Sequence, residues 1–164
     1  MIRGGEPPLS ASLYIVATPI GHLDDMSLRA IDVLRSVNLI AAEDTRHSSK
    51  LLRHFDIRTP LISYHDHSET SDLEGMLKRL RAGETIALIS DAGTPLVSDP
   101  GYKLVVACHR EQIPVVPIPG PSATITALSA AGLPTIIFIL RGSCLRSLGQ
   151  RVNRLQVLTA IEGP

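Results

Sequence analysis

Five short apolar runs punctuate the chain, at 13–18 (LYIVAT), 39–44 (LIAAED), 61–65 (LISYH), 85–91 (TIALISD) and 115–120 (VVPIPG). Runs this short and this uniformly apolar predict buried strands. Between and after them, 26–37, 46–55, 69–82, 101–112 and 121–132 carry apolar residues three and four apart, as in Leu73, Met76, Leu77 and Leu80. That spacing puts one stripe on one side of a helix. Arg81-Ala82-Gly83 gives the third helix a basic last turn and a glycine just past it, the usual way to stop. Strict alternation of apolar strand and amphipathic helix predicts an α/β fold: a mostly parallel sheet with helices on both faces.

Sheets of this kind bind ligands beyond the carboxyl ends of their strands. The chemistry should therefore follow each run, and it does: TPIGHLDD, EDTRHSS, HDHSET, DAGTP and PGPSA. The first loop occupies the place of a Rossmann glycine fingerprint without matching it, so a standard dinucleotide site is not expected. Ala92 and Gly93 would let a ligand approach the backbone, and Asp91 either caps a turn or accepts from a ribose hydroxyl or an amine. Gly120-Pro121-Ser122-Ala123 opens a helix whose free N–H groups can face a ligand carboxylate, or is an ordinary helix start. Glu43-Asp44-Thr45-Arg46 sets two carboxylates and a guanidinium at a strand end, able to orient a hydroxyl or take its proton. A plain N-cap at Asp44 or Thr45 fits the spacing equally well. His65-Asp66-His67 alone in a loop does not make a metal site, and no metal is expected.

Composition narrows the class. The 164 residues suffice for one domain with a sizeable core. Aromatic content is only 3%, which argues against a module that stacks bases on rings. Sixteen basic and sixteen acidic residues cancel, so contact with a nucleic acid would have to be local. Four arginines (Arg141, Arg146, Arg151, Arg154) against Glu162 make the stretch after Pro134 basic. Cys108 and Cys144 fit no zinc or redox spacing and read as free thiols of a reducing cytosol. No apolar stretch is long enough to span a membrane, the first dozen residues lack a secretory core, and a cytoplasmic location is expected.

LYIVATPIGHLDDMSLRAIDVL, LIAAEDTRHSSKLLRHFDI, ALISDAGTPLVSDPGYKLV and VVPIPGPSATITALSAAGLP, taken together, closely resemble the ribosomal RNA small subunit methyltransferase I family of the tetrapyrrole methylase superfamily. The resemblance covers roughly 12–135. It implies S-adenosylmethionine as cofactor and methylation of the 2′-hydroxyl of a cytidine, position 1402 of 16S ribosomal RNA, in the small ribosomal subunit. It assigns Ser90, Asp91, Ala92, Gly93, Thr94 and Pro95 to a cofactor loop, with Pro19 and Gly120, Pro121, Ser122 and Ala123 beside it. Thr45, Arg46 and His65 would meet the RNA, and Glu43 or Asp44 would receive the proton of the hydroxyl.

Two departures qualify what the resemblance implies. The family carries a second α/β domain, with the cofactor in the cleft between the two; here the sequence suggests a loose lead-in (1–12), one such domain (13–135) and a diverged or truncated tail (136–164). After GLP, the family's F-x-F-E-G-F-L-P is replaced by TIIFILRGSCLRSLGQ, with Arg141 where an acid is expected. Weak or absent activity is therefore expected of this chain, and an apolar TIIFIL edge predicts self-association, a homodimer being the simplest form. The alternatives are a corrin or porphyrin C-methyltransferase, disfavoured by GTP where those enzymes read GDP, and a non-catalytic truncated domain.

Overall fold

The computed structural model describes residues 10–64, 70–96 and 101–134, with residues 138, 149, 152, 153 and 156. The chain divides into two compact units, Met1–Thr126 and Ala127–Pro164. The first holds a five-stranded sheet built of β1 (Leu13–Val16), β2 (Leu39–Ala42), β3 (Leu61–Ser63), β4 (Ile86–Ile89) and β5 (Val115–Ile118). The helices are α1 (Leu28–Ser36), α2 (Thr45–His54), α3 (Thr70–Arg81), α4 (Tyr102–Arg110) and α5 (Ala123–Ala130). In the second unit, the described residues complete α5 and turn at Gly132 (φ 66°). Of the TIIFIL segment only Phe138, which is exposed, is described; the arginines of the tail lie outside the described residues, as does His65.

Every strand pairing is parallel, in the order β3-β2-β4-β1-β5. Alternate strand residues enter opposite cores, as the two-residue period of a strand requires. Tyr14, Val16, Ile40, Ala42, Ala87 and Ile89 pack with Ala30, Ile31, Val33 and Leu34 of α1 and Leu52 of α2. Leu13, Ile15, Leu39, Ala41, Ile86 and Leu88 pack with Met76, Leu77 and Leu80 of α3 and Leu104 and Cys108 of α4. Connections on the first face step one way along the sheet and those on the second step back, as right-handed crossovers demand. Burial holds the Cys108 thiol well above its ordinary range, at about 11, with Glu111 adding to the effect. It is an apolar core group.

Local chemistry explains the ends. Ser27 caps α1, its Oγ accepting from Ala30 N at 3.1 Å. A short 3₁₀ turn at Leu23–Asp25, which periodicity could not reveal, follows His22, whose Nδ1 accepts from Asp24 N at 3.3 Å. Pro117 sits within β5, where it is tolerated because β5 is an edge strand and a missing donor costs no ladder bond there. Arg81, which the sequence marks as the basic end of α3, reaches Glu111 just past α4, Nη2 to Oε1 at 2.6 Å, and also pairs with Glu74.

Ser63, Ala42, Ile89, Val16 and Ile118 lie side by side across the sheet, so all five strands end in one row. The five loops therefore leave from one edge, neighbours about 4.8 Å apart. The loop after β4 stands between those after β2 and β1, and its chain departs toward the opposite face from both.

Candidate functional site

The loops after β1, β4 and β5 are tied closely. Thr18 is fully buried and forms an antiparallel bridge with Gly93: Thr18 N donates to Gly93 O at 2.9 Å, and Gly93 N to Thr18 O at 3.0 Å. The Thr18 hydroxyl donates to Ser90 O at 3.0 Å, and the Ser90 hydroxyl to Gly93 O at 3.1 Å. Gly93 has φ +82°, a conformation L side chains rarely adopt, and a Cβ there would touch Ile20 Cγ2 at 3.4 Å. On the other side, the Thr94 hydroxyl donates to Pro121 O at 3.0 Å. Gly120 lies so close to β1 that an added Cβ would sit 2.8 Å from the Cβ of Ala17. Pro19, Ser90, Gly93, Thr94, Gly120 and Pro121 thus converge on one side of the sheet edge, with Ala92, Pro95 and Ser122 in the same loops and Ala123 at the start of α5.

The loops after β2 and β4 enclose something different, an open polar cleft of about 420 Å³ lined by Glu43, Asp44, Thr45, Arg46, Ser63 and Asp91. Asp44 is the N-cap of α2: its Oδ1 accepts from Arg46 N at 2.8 Å and from His47 N at 3.4 Å. The N-cap reading is thus realised. Those backbone N–H groups, Arg46 first, hold the Asp44 carboxyl below its ordinary value; partial burial opposes them and the Arg46 charge adds to them. The Arg46 side chain is 92% exposed, with Nε 3.6 Å from Asp44 Oδ1. Asp91 belongs to the β4 loop, yet its Oδ1 accepts the Asp44 N–H at 3.3 Å. Among the described residues, it bridges to the neighbouring loop.

Three carboxylates against one guanidinium make this cleft rich in acceptors. Such a lining favours hydroxyl or amine donors inside it and a phosphate only at the rim, beside Arg46. Among the described residues, no three His, Cys, Asp or Glu side chains are grouped so as to hold a metal ion, and no helix is long and apolar enough to cross a membrane.

Two residues of the site went unnoticed in the sequence. Thr18 carries the central bridge; its only linear signal is its place between a strand and a proline, which biases it to extended backbone. Ser63 lines the cleft because β3 pairs with β2, which no linear pattern discloses.

The model of the tetrapyrrole (corrin/porphyrin) methylases matches residues 12–157. The chain belongs to this family. It is 53% identical over 150 residues to "Ribosomal RNA small subunit methyltransferase I" of Synechocystis sp., an alignment covering 92% of this chain and 54% of the relative. The protein of the same name in Escherichia coli O157:H7 is 54% identical over 151 residues, covering 92% of this chain and 51% of the relative. This tetrapyrrole-methylase chain thus spans about half the length of the curated relatives it matches. Its fold is that of the crystal structure of uroporphyrin-III-C-methyltransferase from Thermus thermophilus, with a TM-score of 0.56 at 24% identity, over 76% of this chain and 53% of that one. The expected α/β class and the resemblance to ribosomal RNA methyltransferase I relatives are both borne out.

Proposed function

We propose that this chain carries the cofactor and acceptor loops of an S-adenosylmethionine-dependent methyltransferase acting on the 2′-hydroxyl of a cytidine in small-subunit ribosomal RNA, that of position 1402 in 16S RNA. The observation that carries the reading is the meeting, at β4, of a tightly knit backbone platform and an acceptor-rich cleft. Relatives named as ribosomal RNA small subunit methyltransferases, at 53% and 54% identity, support it independently.

The residues present fit the cofactor. Gly93 and Gly120 leave bare backbone at the platform, a Cβ at Gly120 clashing with Ala17, and Gly93 and Pro95 are buried while Ser122 and Thr94 are half-exposed and polar. Ser90, Ala92 through Pro95, Pro19 and Gly120 through Ala123 are the residues we assign to hold S-adenosylmethionine. When bound, that group supplies a methyl already activated by a sulfonium charge. The protein's part is then to hold the acceptor oxygen in line, exclude water and receive one proton.

In this reading the acceptor ribose enters the cleft between Glu43 and Asp91, its hydroxyl donating to a carboxylate. Glu43 is the residue we assign to take the proton. Asp44 already spends its Oδ1 on the first turn of α2, and its lowered pKa makes it the weaker base. Thr45 and Arg46 meet the RNA, Arg46 on a phosphate at the rim; His65 is assigned to the same side from the sequence alone.

Methyl transfer from radiolabelled S-adenosylmethionine to purified small ribosomal subunits tests the reading, with a porphyrinogen as rival acceptor and S-adenosylhomocysteine titrated by calorimetry. Weak label, confined to a single cytidine ribose, is expected. Label in the porphyrinogen alone would replace the RNA reading by the tetrapyrrole C-methylation of the neighbour in fold. Absence of S-adenosylhomocysteine binding would remove the cofactor assignment.

A further inference from the structure

The sequence groups Asp91 with the cofactor loop, yet the bond its carboxylate makes is to the other half of the site. Asp91 Oδ1 accepts the backbone N–H of Asp44, the N-cap of α2, at 3.3 Å. Asp91 follows β4 by two residues and Asp44 follows β2 by two, and the strands end level, with Ala42 paired to Ile89. The carboxylate thus spans one strand spacing along the row of loops. At its other end, the same short loop is locked by the Thr18–Gly93 bridge and by Thr94 on Pro121. The Glu43–Arg46 loop is ordered internally by the cap of Asp44 on Arg46 and His47. Asp91 thus links the rigid platform to that loop.

Resting on the function proposed above, we propose that Asp91 is a positioning residue: its carboxylate sets the acceptor loop, and so the carboxylates that would meet the ribose hydroxyl, against the cofactor platform, instead of contacting the cofactor. An acceptor held in line is sensitive to small displacements, so such a tether would act on turnover more than on cofactor affinity.

Amide hydrogen exchange and calorimetry on the same chain test this. In Asp91→Ala, exchange at the Asp44 amide should quicken about tenfold or more, since a hydrogen bond to a charged acceptor is lost. Amides of β4 should keep their protection, which separates this effect from unfolding. Asp91→Asn retains an acceptor oxygen and should restore most of the protection at Asp44. Both variants should bind S-adenosylhomocysteine within about threefold of the unsubstituted chain, a change small beside the tenfold unit of affinity. Unchanged exchange at Asp44 in Asp91→Ala would overturn the proposal. So would loss of S-adenosylhomocysteine affinity in both variants, which would make Asp91 a direct cofactor contact. If the unsubstituted chain binds no S-adenosylhomocysteine, the cofactor reading fails, while the exchange data still decide whether Asp91 tethers the acceptor loop.

Discussion

The two sides of the β4 loop are built on different principles. Toward β1 and β5, loops are joined by short bonds between buried backbone groups and by the hydroxyls of Thr18, Ser90 and Thr94, with glycines where the chains come closest. Toward β2, Asp91 reaches across to the Asp44 N–H at 3.3 Å, and the space between is an open cleft with charged walls. The first side has the character of a preformed platform, whose geometry is determined by packing and satisfied hydrogen bonds. The second is an open surface whose carboxylates keep their solvation until a donor replaces it. A site for a small molecule and a site for part of a large one would be expected to differ in this way.

The sharpest way to break the platform is from beneath. Gly101 has φ +125°, and a Cβ added there would lie 2.5 Å from Leu88 Cδ2, in the core under β4. Gly101→Ala combines overpacking with a disfavoured backbone and should cost ~2–4 kcal/mol, read from chemical denaturation. A denaturation midpoint equal to that of the parent would show that the loop after β4 is not wedged against the core.

A smaller loss is expected at the bridge itself. Thr18→Val keeps the shape but removes the donor to Ser90 O, leaving a buried carbonyl short of a partner at a cost of about 1–3 kcal/mol. S-adenosylhomocysteine affinity should fall with it if the platform holds the cofactor. Stability lost without any change in affinity would separate the bridge from the cofactor site.

On the open side, Asp44→Ala should fray the first turn of α2 and leave the sheet intact. Because the folded-state pKa of Asp44 is depressed, its contribution is complete above the ordinary aspartate range and disappears as pH falls through the folded value. Acid titration followed by the amide signals of Arg46 and His47 should show that loss below about pH 4 in the parent and not in the variant. A parent whose Arg46 and His47 signals do not move in acid would mean that the cap contributes nothing.

The least effect on stability is expected from Arg46→Ala, since the side chain is 92% exposed and its pairing with Asp44 is loose at 3.6 Å. Its effect should instead be on RNA. Binding to small-subunit RNA should weaken at every salt concentration tested, with the salt dependence shallower by about one unit, as for one lost phosphate contact. An unchanged salt slope would take Arg46 off the RNA.

Much of this was legible along the chain because it depends on neighbours in sequence. Apolar runs marked all five strands, each drawn somewhat long at its carboxyl end: Ala17-Thr18, Glu43-Asp44 and Ser90-Asp91 are continuous with the apolar pattern but already belong to the loops. The same mixture of apolar and small polar residues suits a last strand position and the first position of a buried loop, so pattern alone could not separate them. The 3₁₀ turn at Leu23–Asp25 escaped because three residues carry no period. Asp44 fitted both an N-cap and a reactive carboxylate in the sequence, and the cap is the one the backbone geometry realises.

What the sequence by itself determined is the alternation of strand and helix, the two-sided core, and the placing of the candidate loops after strands, all of them consequences of residue periodicity and local turn chemistry. Only the tertiary structure decided which loops are neighbours. Strand order places β4 between β1 and β2, although β4 lies far from both along the chain. Hence Thr18 meets Gly93 and Asp44 meets Asp91, and Asp91, read along the chain as a member of one loop, binds to another. Hydrogen bonds between loops depend on which strands pair, and pairing between distant segments is chosen by the burial of the whole sheet, not by any window of the sequence.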